Sequence, residues 1–486
     1  MLTPNEELGL AGQSLSGRVR RALHAIPDAE MRELLHTIRA ESEARHLIYY
    51  RDGEPEVIRV LATPLTVLPD QVSYLHYVST HILDALKRLP DLYLADPAVR
   101  ESLKLPPDEE RWLLDLWTPA HRENNPIFGR LDAVADFASP MWKDSLKFVE
   151  PNLSCIGGIN LVPACESVVA DLVVPRVTKR DPAVRLELGP DLRNMLMQQV
   201  LDHLRAIGRP ARTLCFVEFM YEGVGPDEQS TLADHVHDRY GLKVLHADPS
   251  ELTLRDGEVC VGDEPIDLVY RDYEIKDLVE MERAGTDVEP FRVLFRENRV
   301  ISPIAADLDQ KSCWEVLTDP AIVAQHFTPQ ERQLFRRHIP WTRILSDRRT
   351  SLPDGSTGDC LQYIHANRES LVLKPNRSYG GKGVVLGPLL DDAGWDAAIG
   401  HAVAGPDRWV VQQLVPIPVS DYPILGPDGA VHVEPFYTVL GLAATLDGLA
   451  VLGRASQKQV VNIAQRGGMV AVMVGHSPGR LTAHGV

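Results

Sequence analysis

Apolar residues recur with a helical period through most of the first ninety residues of the chain. The spacing predicts amphipathic helices over 18–23 and 29–50, and a third helix over 69–93. Before the third helix, an apolar stretch with several β-branched residues predicts a short strand over 57–67. The chain therefore opens with a mainly helical region.

Short buried runs and helical stretches alternate between residues 192 and 271. The predicted elements, in chain order, are a helix over 192–207, a strand over 213–218, a helix over 229–240, and strands over 243–246 and 266–271. Such alternation is typical of a doubly wound parallel sheet, in which ligands bind at the carboxyl ends of the strands. Arg271 ends the last of these strands and is a candidate for binding an anionic group, although a solvated strand end would explain it equally well.

A glycine-rich, basic loop separates two apolar runs within residues 371–386. This pattern predicts a hairpin whose loop closes over an anion, because glycines let backbone N–H groups approach phosphate oxygens. Lys374, Arg377 and Lys382 supply positive charge. No Ser or Thr follows the loop lysine and no helix begins there, so the loop is not a Walker loop. A surface hairpin with a Gly-Gly turn is the alternative interpretation.

Two earlier runs carry acidic and amide side chains. Residues 129–137 and 146–152 read as strands and predict a second hairpin. Glu150 and Asn152 are two positions apart and share a face, while Asp132 lies on the neighbouring strand. Two carboxylates and an amide oxygen form an all-oxygen set suited to Mg²⁺. Polar residues that cap a strand end would explain the same three positions.

The last part of the chain is predicted to be rich in strands. Residues 409–416 form an apolar strand that ends at a proline, and further strands are predicted over 434–438, 452–456 and 460–464.

The 486-residue chain has a formal net charge of −18, which disfavours nucleic acid and anionic membranes as partners, because both need a basic face. Six scattered cysteines without a Cys-x-x-Cys pair predict reduced thiols rather than a disulfide or zinc framework. Neither a targeting segment nor an apolar run of membrane-spanning length is visible. We therefore expect a cytoplasmic protein of about two to four domains.

Four segments together resemble the circularly permuted ATP-grasp proteins, the group that includes the glutathionylspermidine-synthase-like ligases. They are the lysine and glycine loop of residues 374–384, the strand 409–416 as a hinge, residues 130–132 with 149–152, and residues 453–468. In ordinary ATP-grasp chains the lysine hairpin precedes the metal ligands. Here Asp132 and Glu150 come more than two hundred residues before Lys374, as in the permuted group.

The resemblance implies an α/β fold, α+β in parts: a circularly permuted ATP-grasp fold with a pre-ATP-grasp doubly wound sheet and an N-terminal helical region. The implied segments are 1–105, the helical region; 106–190, the metal-binding part of the core; 191–305, the pre-ATP-grasp-like domain; 306–425, the nucleotide-binding subdomain with lysine loop and hinge; and 426–486, which completes the core.

The resemblance also implies ATP and Mg²⁺ as cofactors. The implied metal ligands are Asp132, Glu150 and Asn152. The implied nucleotide-binding residues are Lys311, Lys374, Ser378, Tyr379, Gly380, Gly381, Lys382, Gly383, Gln412, Gln413 and Val415. Arg454, Lys382 and Arg130 are the implied catalytic residues, with Arg130 and Arg271 as candidates for binding the substrate carboxylate. Gln412 and Gln413 stand where many relatives have an acidic residue, which leaves the ribose contacts open.

The function implied is that of an ATP-dependent carboxylate–amine ligase that works through an acyl phosphate. Its expected partners are a small-molecule acid and an amine, such as an amino acid, a short peptide or a polyamine, and the protein is expected to be a monomer or a homodimer. Two alternatives stay open: a catalytically silent nucleotide-binding or scaffold protein, and a phosphotransferase that stops at a phosphorylated product.

Overall fold

Strands from distant parts of the chain form the largest sheet of the computed structural model, which describes residues 2–219 and 225–476. Within these residues the sheet has eight strands. Its main path runs Val60–Val67, Gly468–His476, Gly448–Ser456, Val431–Thr445, Arg130–Val134 and Lys147–Asn152, with Val419–Leu425 and Arg185–Glu187 paired alongside. The predicted hairpin of the acidic residues is confirmed, because Arg130–Val134 and Lys147–Asn152 pair antiparallel with Asp132 opposite Glu150.

A second sheet is parallel throughout its four strands in the described part of the chain. Its order is Val300–Ile301, Leu268–Asp272, Thr213–Glu218 and Lys243–Ala247. The helices Leu192–Ala206 and Gln229–Tyr240 alternate with these strands along the chain. The parallel α/β arrangement predicted for this region is therefore confirmed.

A third, antiparallel sheet carries the glycine-rich loop. It is ordered Thr342–Ile344, Trp409–Gln413, Leu371–Pro375 and Val385–Leu386. Its apolar face packs on a separate small core that includes Trp341, Ile364 and Trp395. The last two strands pair as the predicted hairpin.

The remaining strands form small antiparallel sheets: Ile48–Arg51, Glu54–Val57, Gly225–Pro226, Leu252–Arg255, Glu258–Val261, Glu264–Pro265, Arg349–Ser351 and Thr357–Asp359. The other α-helices are Pro4–His24, Asp28–Ala44, Pro69–Leu86, Leu89–Ala95, Pro97–Ser102, Pro107–Leu116, Pro119–Glu123, Trp142–Ser145, Leu161–Leu172, Val174–Arg180, Ile275–Arg283, Glu289–Arg296, Cys313–Thr318, Pro320–His326, Pro329–His338, Cys360–Ala366 and Asp392–Ala404. Short 3₁₀ turns span Pro249–Glu251, Ile304–Leu308, Arg368–Ser370, Gly387–Leu389 and Ile463–Gln465.

Two predicted helices near the N-terminus differ from the observed ones, one at its end and the other by a break in its middle. The helix expected over 29–50 stops at Ala44, and His46 takes the left-handed φ of 61° before a strand begins at Ile48. The helix expected over 69–93 is two helices, because Pro90 has no N–H to continue the first one.

The strand expected over 460–464 is also wrong. The side chain of Asn462 accepts a hydrogen bond from the N–H of Ala464, which favours a local turn over sheet pairing. The last strand begins at Gly468 instead.

The division into five segments stays a prediction, and residue 1, residues 220–224 and residues 477–486 of those segments lie outside the described residues. Among the helices of the described residues, none combines the length and the apolar character needed to cross a membrane.

Candidate functional site

Two neighbouring cavities lie where the three sheets meet. The narrow cavity, of about 140 Å³, lies between the strands Leu371–Pro375 and Trp409–Gln413 on one side and the strand Lys147–Asn152 on the other. Apolar side chains line much of it, including Val372, Leu386 and Val439. It is therefore a cleft with apolar walls between the hairpin sheet and the main sheet.

The wide cavity, of about 430 Å³, opens beside the carboxyl ends of the parallel strands, at Glu218 and Asp272. Its opposite wall comes from the main sheet and carries Arg130 and Asp132. The residues that line both cavities are Asp132, Glu150, Lys311, Ser378, Arg454 and Asn462. The shared residues are mostly charged, so the two cavities meet at a polar junction.

Asp132 lies at this junction between two arginines. Its Oδ1 accepts a hydrogen bond from Nε of Arg130 at 3.0 Å, and its Oδ2 is 2.8 Å from Nη2 of Arg454. All three residues are less than a tenth exposed. Burial alone would raise the pKa of the Asp132 carboxyl, but the two guanidinium groups outweigh it and hold the pKa below its usual value. Asp132 is therefore ionised and held in place.

Two lysines surround Glu150 on the neighbouring strand. Nζ of Lys311 lies 2.8 Å from Oε1 of Glu150 and also donates to the carbonyl of Ser378 in the glycine loop. Nζ of Lys374 donates to Oε1 of Gln412 at 2.7 Å. Burial lowers the pKa of Lys374 to about 8; the Lys311 ammonium adds to this decrease, and the carboxylate of Glu150 opposes it.

The backbone of the glycine loop lies in the left-handed region that favours glycine. Gly380, Gly381 and Gly383 have φ values of 72°, 72° and 73°. A Cβ atom at Gly381 would lie 2.7 Å from the side chain of Val460, and one at Gly383 would lie 2.8 Å from Pro375. The glycines therefore allow the loop to pass close to its neighbours at the mouth of the narrow cavity.

The base of the loop is fixed by buried contacts. The guanidinium of Arg377 pairs with both oxygens of Glu109 on the helix Pro107–Leu116. Asn376 donates to Oε1 of Gln310 at 2.8 Å and accepts the N–H of Ser312 at 2.8 Å. The Lys382 side chain, in contrast, is exposed and makes no hydrogen bond or ion pair within the described residues.

Most predicted site residues line one or both cavities. The narrow cavity includes Asp132, Glu150, Lys311, Lys374, Ser378, Gly381, Lys382, Gln412, Gln413, Val415 and Arg454. The wide cavity includes Arg130, Asp132, Glu150, Asn152, Lys311, Ser378, Tyr379, Gly380 and Arg454. Gly383 and Arg271 line neither.

Arg271 is fully buried behind the wall of the wide cavity. Its guanidinium donates to the carbonyls of Ser302, Tyr273 and Pro303 and pairs with Asp307 at 2.6 Å. These partners occupy the guanidinium, so the structure does not bring Arg271 to the place where an anionic group could reach it.

The predicted metal ligands lie on two neighbouring strands of the main sheet. In the described part of the chain, no group of three or more His, Cys, Asp or Glu side chains could hold an ion. Asp132, Glu150 and Asn152 offer two carboxylates and an amide, whose Nδ2 donates to the Arg130 carbonyl at 3.3 Å. Mg²⁺ at nucleotide sites takes one or two carboxylates and completes its shell with phosphate and water. The three residues fit an ion of that kind.

Sequence reasoning missed several residues of the wide cavity. Asp309 accepts the N–H of Leu153 at 2.6 Å, and burial with the nearby Glu150 carboxylate raises its pKa to about 8. Asp272 is exposed to the same cavity, which Glu218 also lines. Asp272 follows Arg271 at the end of a predicted strand, so strand ends were a usable signal, but the sequence did not indicate which side chain enters the cavity.

Comparison with known proteins finds similarity of structure alone. No family model and no curated protein matches the chain. A glutathione synthetase like-effector from Globodera pallida matches with a TM-score of 0.60 and 12% sequence identity, over 92% of this chain and 98% of that one. The chain therefore shares the fold of that protein. The resemblance is confirmed at the level of the fold, which is that of a glutathione synthetase-like protein, and the circular permutation stays a prediction.

Two further solved structures match more loosely. A RimK domain ATP-grasp protein from Sphaerobacter thermophilus has a TM-score of 0.26 and 14% identity over 53% of this chain and 97% of that one. A candidate gamma-glutamylcysteine synthetase from Methylobacillus flagellatus has a TM-score of 0.36 and 11% identity over 78% and 83% of the two chains. At TM-scores this low, neither supports a conclusion about this chain.

The position of Arg130 depends on a glycine across the sheet. A Cβ atom at Gly441 would lie 2.5 Å from Cδ and 2.7 Å from Nε of Arg130. We expect Gly441→Ala to displace Arg130 from Asp132 and to lower the free energy of unfolding by about 1–3 kcal/mol, because a buried carboxylate loses a partner. Urea denaturation measures this change.

Gly400→Ala is the matched control. Gly400 lies in the helix Asp392–Ala404, and a Cβ atom there would meet nothing within 4 Å. This variant should be stabilised by about 0.5–1 kcal/mol, because alanine loses less backbone entropy in a helix. If the two substitutions changed the free energy of unfolding equally, Arg130 would be able to move away from the added Cβ atom without loss of stability.

Proposed function

We propose that the protein is an ATP-dependent carboxylate–amine ligase. The observation that carries the proposal is the narrow cavity, where Lys374 and Lys382 of the glycine hairpin meet Asp132 and Glu150 of the main sheet. The narrow cavity thus combines cationic groups that could bind a polyphosphate with carboxylates that could bind its metal ion. The adjoining wide cavity is large enough for a small substrate. The fold shared with a glutathione synthetase like-effector supports the same proposal.

The side chains that line the narrow cavity suit a nucleotide in their chemistry. Val372, Leu386 and Val415 would offer apolar surfaces to the adenine ring. Lys374 and Lys382, with the backbone N–H groups of the glycine loop, would bind the phosphates.

Asp132, Glu150 and Asn152 would hold Mg²⁺ together with the phosphates. When bound, the ion neutralises charge on the β- and γ-phosphates and so favours transfer of the terminal phosphoryl group.

The shared junction suits the transfer of a phosphoryl group to a carboxylate. Arg130 would orient the substrate carboxylate from the wide cavity, and one carboxylate oxygen would attack the γ-phosphorus as ADP leaves. Arg454, at the meeting point of the two cavities, would stabilise the charge on the phosphoryl group as it moves.

The second half-reaction would occur in the wide cavity. An uncharged amine would attack the carbonyl carbon of the acyl phosphate, phosphate would leave, and the nitrogen would lose a proton to give the amide. Acidic side chains on the far wall of the cavity, including Asp272, Glu274 and Asp277, favour the approach of an ammonium group.

The strand pairing also supports the predicted circular permutation. Arg130–Val134, which carries Asp132, lies beside Val431–Thr445, about three hundred positions later in the chain. A core assembled from an early and a late segment is what a permuted order of the ATP-grasp elements requires.

A screen of acid and amine pairs tests the reaction. Amino acids, short peptides and polyamines are combined with Mg²⁺–ATP, ADP release is followed, and products are identified by mass. The proposal expects ADP, phosphate and an amide in equal amounts with at least one pair. A stable phosphorylated acid as the end product would indicate a phosphotransferase, and nucleotide binding without turnover of any pair would indicate a silent binding protein.

Single substitutions test the assigned roles. Lys382→Ala and Glu150→Ala should each lower the rate of ADP formation by about two to three orders of magnitude, because the first removes a cation that stabilises the transferring phosphoryl group and the second removes a ligand of the metal ion that does so. Lys104→Ala, at an exposed lysine outside both cavities, is the control. Circular dichroism should be unchanged in all three, and near-normal rates in both site variants would contradict the assignment.

The lowered pKa of Lys374 predicts proton uptake when a nucleotide binds. As the pH rises above about 8, the amine of the free protein loses its proton, and the phosphates of a bound nucleotide restore it. At about pH 9, each nucleotide that binds should therefore take up a fraction of a proton on average. The affinity for the nucleotide should fall as the pH rises. Calorimetry in buffers of different ionisation enthalpy measures the uptake. Lys374→Met should abolish it, and equal uptake in that variant would assign the proton elsewhere.

A further inference from the structure

The carboxylates proposed to hold the metal ion are already paired with cationic side chains. Nζ of Lys311 lies 2.8 Å from Oε1 of Glu150, and Asp132 is held by Arg130 on one oxygen and by Arg454 on the other. A free Mg²⁺ ion keeps its water shell tightly and binds well only where several oxygen ligands replace that water. These paired carboxylates offer it little net negative charge.

Lys311 is held firmly in this position. Its side chain is only 7% exposed, and its Nζ also donates to the carbonyl of Ser378 in the glycine loop. Its own N–H donates to the carbonyl of Asn376 at 3.1 Å, and the next N–H, of Ser312, donates to Oδ1 of Asn376. The lysine thus joins the metal-ligand strand to the loop that would cover the phosphates.

The surrounding charge favours an anion. Lys311, Lys374, Arg130 and Arg454 line the two cavities around the carboxylates of Asp132 and Glu150. Next to these two carboxylates the four cationic groups are in excess, and they repel a free dication and attract a polyphosphate, while the acidic side chains of Asp272, Glu274 and Asp277 line the far wall of the wide cavity. A metal–nucleotide complex brings phosphate oxygens as metal ligands and negative charge for the lysines in one step.

We infer that Lys311 is an internal counter-ion of Glu150 that keeps free divalent cations out of the site, so that the metal ion enters only together with the nucleotide. The inference rests on the proposed function and makes Lys311 a positioning residue as well as a nucleotide contact. Binding of the complex would transfer the Lys311 ammonium from Glu150 to a phosphate oxygen and leave the carboxylate to the metal ion.

Binding of Mn²⁺, followed by the electron paramagnetic resonance signal of the free ion, tests this inference without turnover. The wild-type protein should leave Mn²⁺ free when no nucleotide is present, and should bind it when the non-hydrolysable analogue AMP-PNP is added. Lys311→Met should bind Mn²⁺ alone at least about tenfold more tightly than the wild type, because Glu150 is released. The same variant should lose affinity for AMP-PNP.

Two variants control for other effects of the substitution. Lys311→Arg keeps the positive charge and should exclude free Mn²⁺ as the wild type does. Lys276→Met removes a lysine that pairs with Glu274 and lies 5.0 Å from the Tyr379 ring, close to the same loop but away from the metal-ligand set, and should also leave Mn²⁺ free. Circular dichroism and the thermal midpoint show whether each variant is folded.

The outcomes separate the inference from the proposed function. If the wild type binds Mn²⁺ alone as tightly as with AMP-PNP, or if Lys311→Met gains no Mn²⁺ binding while still folded, Lys311 does not exclude the free ion and the ligase proposal is unaffected. If the wild type binds neither AMP-PNP nor its Mn²⁺ complex, the nucleotide site itself is wrong, and the inference is overturned with it.

Discussion

The site depends on buried ion pairs that connect segments far apart in the chain. Asp132 binds Arg130 of its own strand and Arg454 of a strand near the C-terminus, and Glu150 binds Lys311. Lys311 in turn binds the glycine loop through the carbonyl of Ser378. Removing one member of such a pair leaves the other buried and uncompensated, which is costly. The same charges that fix the arrangement are those that a metal–nucleotide complex would use.

The fold places these charged side chains between three sheets, where they are partly shielded from water. The main sheet supplies the acidic strands, the small antiparallel sheet supplies Lys374 and the loop, and the parallel sheet ends at the wide cavity. In a partly desolvated cleft each charge interacts more strongly with its partner than in water, as the lowered pKa of Lys374 illustrates. The charges of a bound phosphate, metal ion or substrate would likewise interact more strongly with these side chains than they would in water.

The sequence was sufficient to predict the two hairpins of the candidate site, while the roles of the site residues stay predictions. Alternation and turn residues predicted both hairpins, and their register places Asp132 opposite Glu150. The pattern did not indicate that Arg271 is fully occupied by buried partners, because those partners are three backbone carbonyls and the Asp307 carboxylate, which only the fold brings together. Nor did it predict the Arg377–Glu109 pair, which spans 268 positions and has no local signal.

The central claim is that the glycine hairpin and the acidic strands bind one metal–nucleotide complex between them. A crystal structure with Mn²⁺ and AMP-PNP, with the ion located by its anomalous scattering, tests this directly. The account predicts the adenine in the narrow cavity and the Mn²⁺ peak between the phosphates and the side chains of Asp132 and Glu150. A nucleotide bound elsewhere, or an ion bound to the phosphates without either carboxylate, would contradict it.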